Sequence, residues 1–102
     1  KLENLNEQIT ISQNIFSELS IYPNPFNEQL TTQFFLEKEE NVSIALYDTQ
    51  GRLVKNILEQ GILTAGKQQI FVESGDLING VYFCVLSTNR QQMSQKVIKM
   101  GN

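Results

Sequence analysis

Val42-Ser43-Ile44-Ala45-Leu46-Tyr47-Asp48-Thr49-Gln50-Gly51-Arg52-Leu53-Val54 decides how the rest of this chain is read. Val42, Ile44 and Leu46 alternate with Ser43, Ala45 and Tyr47, the period of a strand with one face buried. Asp48 opens the following reversal and Gly51 closes it, which favours a tight turn into a strand beginning at Arg52. The stretch predicts a β-hairpin. Beyond it, Leu53, Val54, Ile57 and Leu58 fit a helical stripe as well as a two-sided strand with one irregular step. The strongly alternating partner favours the strand.

Working outward, Leu30, Thr32, Phe34 and Leu36 share one face of a second alternating run, and residues 67–72 form a third. Glu73-Ser74-Gly75-Asp76 reads as a loop and Asn79-Gly80 as a turn. Val81-Tyr82-Phe83-Cys84-Val85-Leu86 is apolar at both parities, which predicts a central strand covered on each side. Thr88-Asn89-Arg90-Gln91 is a polar reversal into a last strand over residues 93–100. Toward the start, Ile21-Tyr22-Pro23-Asn24-Pro25-Phe26-Asn27 holds two prolines, which fix φ and remove two backbone donors. It must be a rigid turn at a sheet edge, and it marks where a domain begins. Residues 1–18 are polar and read as a linker to upstream cargo and a processing region, with a possible edge strand at Ile9-Thr10-Ile11; the domain spans residues 19–102. About seven short strands with regular turn signals predict an all-β, immunoglobulin-like antiparallel β-sandwich. The Cys…Trp…Cys core signature of antibody domains is missing, so that likeness is one of architecture.

The chain has 102 residues, 40% of them hydrophobic. That suits one small domain burying roughly 60–65% of its unfolded surface. No apolar run nears the ~20 residues of a membrane-spanning helix, and no cationic segment followed by an apolar one opens the chain. A soluble domain without an export leader of its own is expected. A start at Lys1 reads as a piece of a longer precursor whose leader would lie upstream.

The chemistry is bounded mainly by what the residue list lacks. There is no histidine, so imidazole-based nucleophile activation and imidazole metal sites drop out. Cys84 is the only cysteine, flanked by Phe83 and Val85, and reads as a buried, inert thiol. Glu37, Glu39 and Glu40 lack the spacing of a calcium loop and read as a solvated loop. Nothing predicts a cleft that would turn Asp48, Glu73 or Asp76 into a catalytic carboxylate pair. Asn41-Val42-Ser43 matches the glycosylation tripeptide, a frequent chance occurrence. A net charge of -3 with scattered Lys and Arg argues against nucleic acid. The aromatic residues fall mainly at strand-core positions, which argues against a carbohydrate-binding platform. The expectation is a non-enzyme with no catalytic residue, cofactor, metal or stable membrane insertion.

Four segments taken in order carry a resemblance: Ile21-Tyr22-Pro23-Asn24-Pro25, the hairpin of residues 42–54, Leu77-Ile78-Asn79-Gly80-Val81-Tyr82-Phe83, and Lys96-Val97-Ile98-Lys99. Together they resemble the type A C-terminal sorting domain of type IX secretion system (Por secretion system) cargo proteins. The resemblance implies a secretion address in Bacteroidetes-type bacteria. Its precursor is exported to the periplasm, carried with shuttle components through an outer-membrane translocon, and delivered to the cell surface or medium, where a sortase-like peptidase cuts upstream of the sandwich, within residues 1–18. Pro23, Asn24 and Pro25 match the first motif; Gly80, Val81 and Tyr82 match the central one. Asp48 and Gly51 match the hairpin turn. Residues 96–99 match the terminal motif. Cys84 stands where an aliphatic residue is expected. Translocon recognition is expected at Lys96, Val97, Ile98 and Lys99, on an end strand whose free edge could be read by β-augmentation. The prolines, Gly80, Val97 and Ile98 also have plain structural readings: a stiffened turn, a positive φ and core filling. An Ig-like module of the flagellar-hook-capping type, retained on an extracellular enzyme, is the alternative. That module usually carries a Trp-Asp-Gly segment, and this chain has no tryptophan.

Overall fold

The computed structural model describes residues 15–101, so the possible strand at Ile9-Thr10-Ile11 lies outside the described residues. Seven antiparallel strands follow in order: β1 (Phe16–Tyr22), β2 (Gln29–Leu36), β3 (Glu40–Tyr47), β4 (Leu53–Leu63), β5 (Gly66–Glu73), β6 (Gly80–Ser87) and β7 (Gln92–Lys99). One sheet has the order β1-β2-β5 and the other β4-β3-β6-β7. No helix occurs among the described residues. This is the all-β sandwich that the alternation predicts.

The facing sides of the two sheets make the core. Leu30, Phe34 and Leu36 on β2 meet Val42, Ile44 and Leu46 on β3, Tyr82, Cys84 and Leu86 on β6, and Val97 on β7, all buried. Each such aliphatic side chain contributes about 1.5–3 kcal/mol by leaving water. Phe16 and Phe34 add an edge-to-face pair at 5.6 Å. Thr32, also fully buried, has its hydroxyl 3.9 Å from Cys84 Sγ, a weak hydrogen bond between the sheets. Burial pushes the Cys84 thiol up to about 11, the inert sulfur that its neighbours predict.

The hairpin closes as expected. Asp48 Oδ1 accepts from the N–H groups of Gln50 and Arg52, and Gly51 takes φ 82°. β4 is a strand, and its ambiguity in sequence has a physical origin. Its register against β3 shifts three times, and Gln60 sits at φ 51° with its N–H on Ser43 Oγ. Such irregular steps let the adjacent Ile57 and Leu58 both pack on the core, which a regular strand forbids and a helical stripe imitates.

Four expectations need correction. Phe16–Tyr22 is one strand, Ile15 and Phe16 are buried, and the Ile15 N–H donates to Gln91 Oε1 at 2.9 Å. The fold therefore starts ahead of Leu19. β6 is central in its sheet, yet only Tyr82, Cys84 and Leu86 are buried, because among the described residues no layer covers the outer side holding Val81, Phe83 and Val85. Glu40 is no solvated loop residue: it opens β3, and its buried carboxylate meets Arg90 Nη2 at 3.0 Å. Finally, Tyr22, Phe35 and Phe71 are exposed on the outer side of the β1-β2-β5 sheet, so the aromatics are divided between core and surface.

Candidate functional site

The first, central and terminal segments meet at one end of the sandwich. After Tyr22 the chain leaves β1 through cis Tyr22-Pro23 and cis Asn24-Pro25 bonds and runs beside β7. Neither proline has an N–H to offer. The free edge of β7 is instead met by the two residues between and after them. Asn24 Oδ1 accepts from the Ile98 N–H at 3.0 Å, and Asn24 Nδ2 donates to the Lys96 carbonyl at 3.3 Å. The Phe26 N–H donates to the Ile98 carbonyl at 2.8 Å, and the Met100 N–H donates to the Phe26 carbonyl at 2.9 Å. Asn24 thus acts as a short side-chain strand, and Phe26 continues it as a parallel bridge to Lys99. The Phe26 ring is buried and tilts against Tyr82 at 6.4 Å, joining the first motif to the central one.

The central segment is fastened in turn. Tyr82 Oη donates to the Ile78 carbonyl at 2.6 Å, closing the turn before β6, while Gly80 takes the positive φ foreseen for it. Burial raises the Tyr82 phenol above its usual range, and the charge of Asp48 adds to the effect. Lys99 is almost fully buried and points its ammonium to the Leu77 carbonyl at 3.0 Å. Its stem is packed while its tip finds an acceptor, which keeps the burial tolerable. Ser74 holds the neighbouring chain, donating through Oγ to the Asn27 carbonyl and through N–H to the Glu28 carbonyl. Asp76 meets Lys55 Nζ at 3.0 Å, and that hydrogen bond holds its carboxyl below the usual range.

The structure divides the expected recognition residues. Val97 and Lys99 point inward and are buried; Lys96 is exposed and Ile98 half-buried on the outer face beside Val81 and Phe83. Lys96 makes no ion pair among the described residues. The β7 edge is not free over residues 96–100, because Asn24 and Phe26 occupy it. Asp48 serves the hairpin turn, where the Arg52 N–H and then its own desolvation set its carboxyl, with a net lowering. The Val81 side chain lies on the same outer face as Ile98, opposite it in register.

One member of this end, Gly101, is not singled out by the sequence. Asn79 Nδ2 donates to the Gly101 carbonyl at 2.6 Å, and a Cβ on Gly101 would collide with the Asn27 side chain. Gly101 therefore belongs to the site. The only sequence signal was its identity as glycine, which a close backbone approach requires. At the opposite end, an open depression of about 690 Å³ between Glu40 and Arg90 is lined largely by polar groups. Among the described residues no group of three His, Cys, Asp or Glu could hold a metal ion, and no helix is long and apolar enough to cross a membrane.

No curated protein matches the chain. A family model described as "Secretion system C-terminal sorting domain" matches residues 20–100, a span containing every motif joined at this end. The chain belongs to that family, the C-terminal sorting signals of type IX secretion.

Proposed function

We propose that the domain is a folded address that takes an attached upstream cargo protein from the periplasm through the outer-membrane translocon of the type IX system to the surface or medium. The translocon and its shuttle components read the end where the three motifs meet. The observation that carries this reading is the fastening of Asn24 and Phe26 along the edge of β7, which makes one surface of residues up to 74 positions apart. Lys96 and Ile98 offer a cation and an apolar side chain for recognition, while Val97 and Lys99 hold that strand in place from within. With the edge occupied, side-chain recognition is favoured over β-augmentation at residues 96–100. A sortase-like peptidase then removes the domain by cutting upstream of Ile15, since Ile15 and Phe16 belong to the core.

The test fuses the 102-residue chain behind a periplasm-exported fluorescent protein in a bacterium with a working type IX system, with Lys96→Glu and Ile98→Ser as variants. Fluorescence at the surface or in the medium for the parent, with periplasmic retention of variants whose isolated domains melt as the parent does, is the expected result. Export of both variants at the parental level would move recognition to another surface. A parent fusion that stays in the periplasm would sink the address reading itself.

A further inference from the structure

We propose that β5 is a self-pairing edge, through which two copies of this chain join antiparallel into one continuous six-stranded sheet. The argument starts from how each open sheet edge is treated. Exposed edges are templates for pairing, and proteins blunt them with bulges, prolines or covering segments. β1 is broken by a register shift between Ser17 and Ser20, with Glu18 at φ 55°. β4 shifts register three times and bulges at Gln60. β7 is covered over its last part by Asn24 and Phe26. Among the described residues β5 has no bulge, proline or covering segment. Its eight residues pair with β2 without a single shift, from Gly66 opposite Leu36 to Glu73 opposite Gln29.

The occupant follows from the residues on that strand. Lys67, Gln69, Phe71 and Glu73 are exposed on the outer side, alternating with half-buried Gln68, Ile70 and Val72. A two-fold axis at Ile70 pairs each residue with the one equally far on the other side. Lys67 then stands opposite Glu73 of the second copy, and Glu73 opposite its Lys67. Phe71 faces Gln69 of the second copy in the same way, so both sides of the junction are used twice, as a two-fold interface requires. Opposite charges directly across an antiparallel pair stabilise it, and like charges there oppose it. Neither Lys67 nor Glu73 has an ion-pair partner within its own chain among the described residues. Phe71, at 62% exposure, would be partly covered by the junction.

The test is the oligomeric state of the full 102-residue chain, followed by sedimentation velocity from micromolar to millimolar concentration. The parent should dimerise within that range. Glu73→Lys, which replaces both attractive pairs by Lys–Lys contacts, should weaken the dimer about tenfold or more. The exchanged variant Lys67→Glu/Glu73→Lys should restore the affinity to within about threefold of the parent. Both positions are exposed, so circular dichroism melts of the variants should overlay the parent and separate loss of pairing from loss of fold. A parent that stays monomeric throughout overturns the proposal. So does a dimer indifferent to Glu73→Lys, or one that the exchanged variant fails to restore.

Discussion

Asn24 carries more of this structure than its position between two prolines announces. Its amide both donates and accepts along β7, to the Lys96 carbonyl and from the Ile98 N–H, and aspartate cannot do both. Asn24→Ala should cost about 1–2 kcal/mol, from two lost hydrogen bonds at a partly solvated edge. Asn24→Asp should be destabilising as well, since one carboxylate oxygen would face the Lys96 carbonyl. Urea midpoints of the two variants check this, and a midpoint unchanged in both would mean the bonds contribute nothing net. Cys84 supports a prediction of a different kind. Its thiol has an ordinary value near 9 and is raised by burial to about 11. The folded value lies above the unfolded one, so folding favours the protonated thiol. That share of stability is whole below about pH 9 and is lost as pH rises through about 11. Stability measured by urea unfolding between pH 8 and pH 11 should therefore fall less steeply in Cys84→Ala than in the parent.

The strands were legible in the sequence wherever one face is buried and the other wet. Period two in residues 30–36 and 42–46 picked out Leu30, Thr32, Phe34, Leu36, Val42, Ile44 and Leu46, all buried, because alternation is dictated by the pleat, although Thr31 and Ala45 on the other parity are buried as well. The same rule places Lys96 and Lys99 on opposite faces, since they are an odd number of residues apart, and the structure has one exposed and the other buried. Grouping them with Val97 and Ile98 as one set of four missed this. Two other features were hidden for physical reasons. The outer side of β6 looks like core because Val81, Phe83 and Val85 are apolar, yet whether a layer covers them depends on the tertiary arrangement. The occupied edge of β7 is a contact between distant segments, and no local pattern encodes it. Turn chemistry was more readable: Gly51 at φ 82° has open space around its Cα, so its cost on substitution is conformational alone. Gly51→Ala should destabilise by about 1–2 kcal/mol without disturbing any neighbour. Chemical denaturation gives the magnitude, and an unshifted amide spectrum outside the hairpin turn checks the second half.

For the molecule as a whole, the joining of its first and last motifs changes what a truncation means. Removing residues 96–102 deletes Val97, which is fully buried, and Lys99 with its bond to the Leu77 carbonyl. It also strips the partners of Asn24 and Phe26, opening the Phe26 ring and the edge of β6 to water. Loss of a buried valine together with exposure of a buried phenylalanine costs several kcal/mol, comparable with the roughly 5–15 kcal/mol that holds a domain of this size. A chain ending at Gln95 should therefore lack a cooperative thermal transition, whereas Lys96→Glu, at an exposed position, should melt within about 4–8 °C of the parent. Circular dichroism melts decide between them. A truncated chain that still unfolds cooperatively near the parental temperature would show that the last strand is dispensable for folding and free to act as a detachable signal. If instead only the truncated chain loses its transition, failure of a truncated cargo to be exported reports a collapsed domain. The address then has to be dissected with exposed single substitutions, because in this fold wet and buried residues alternate along the same last strand.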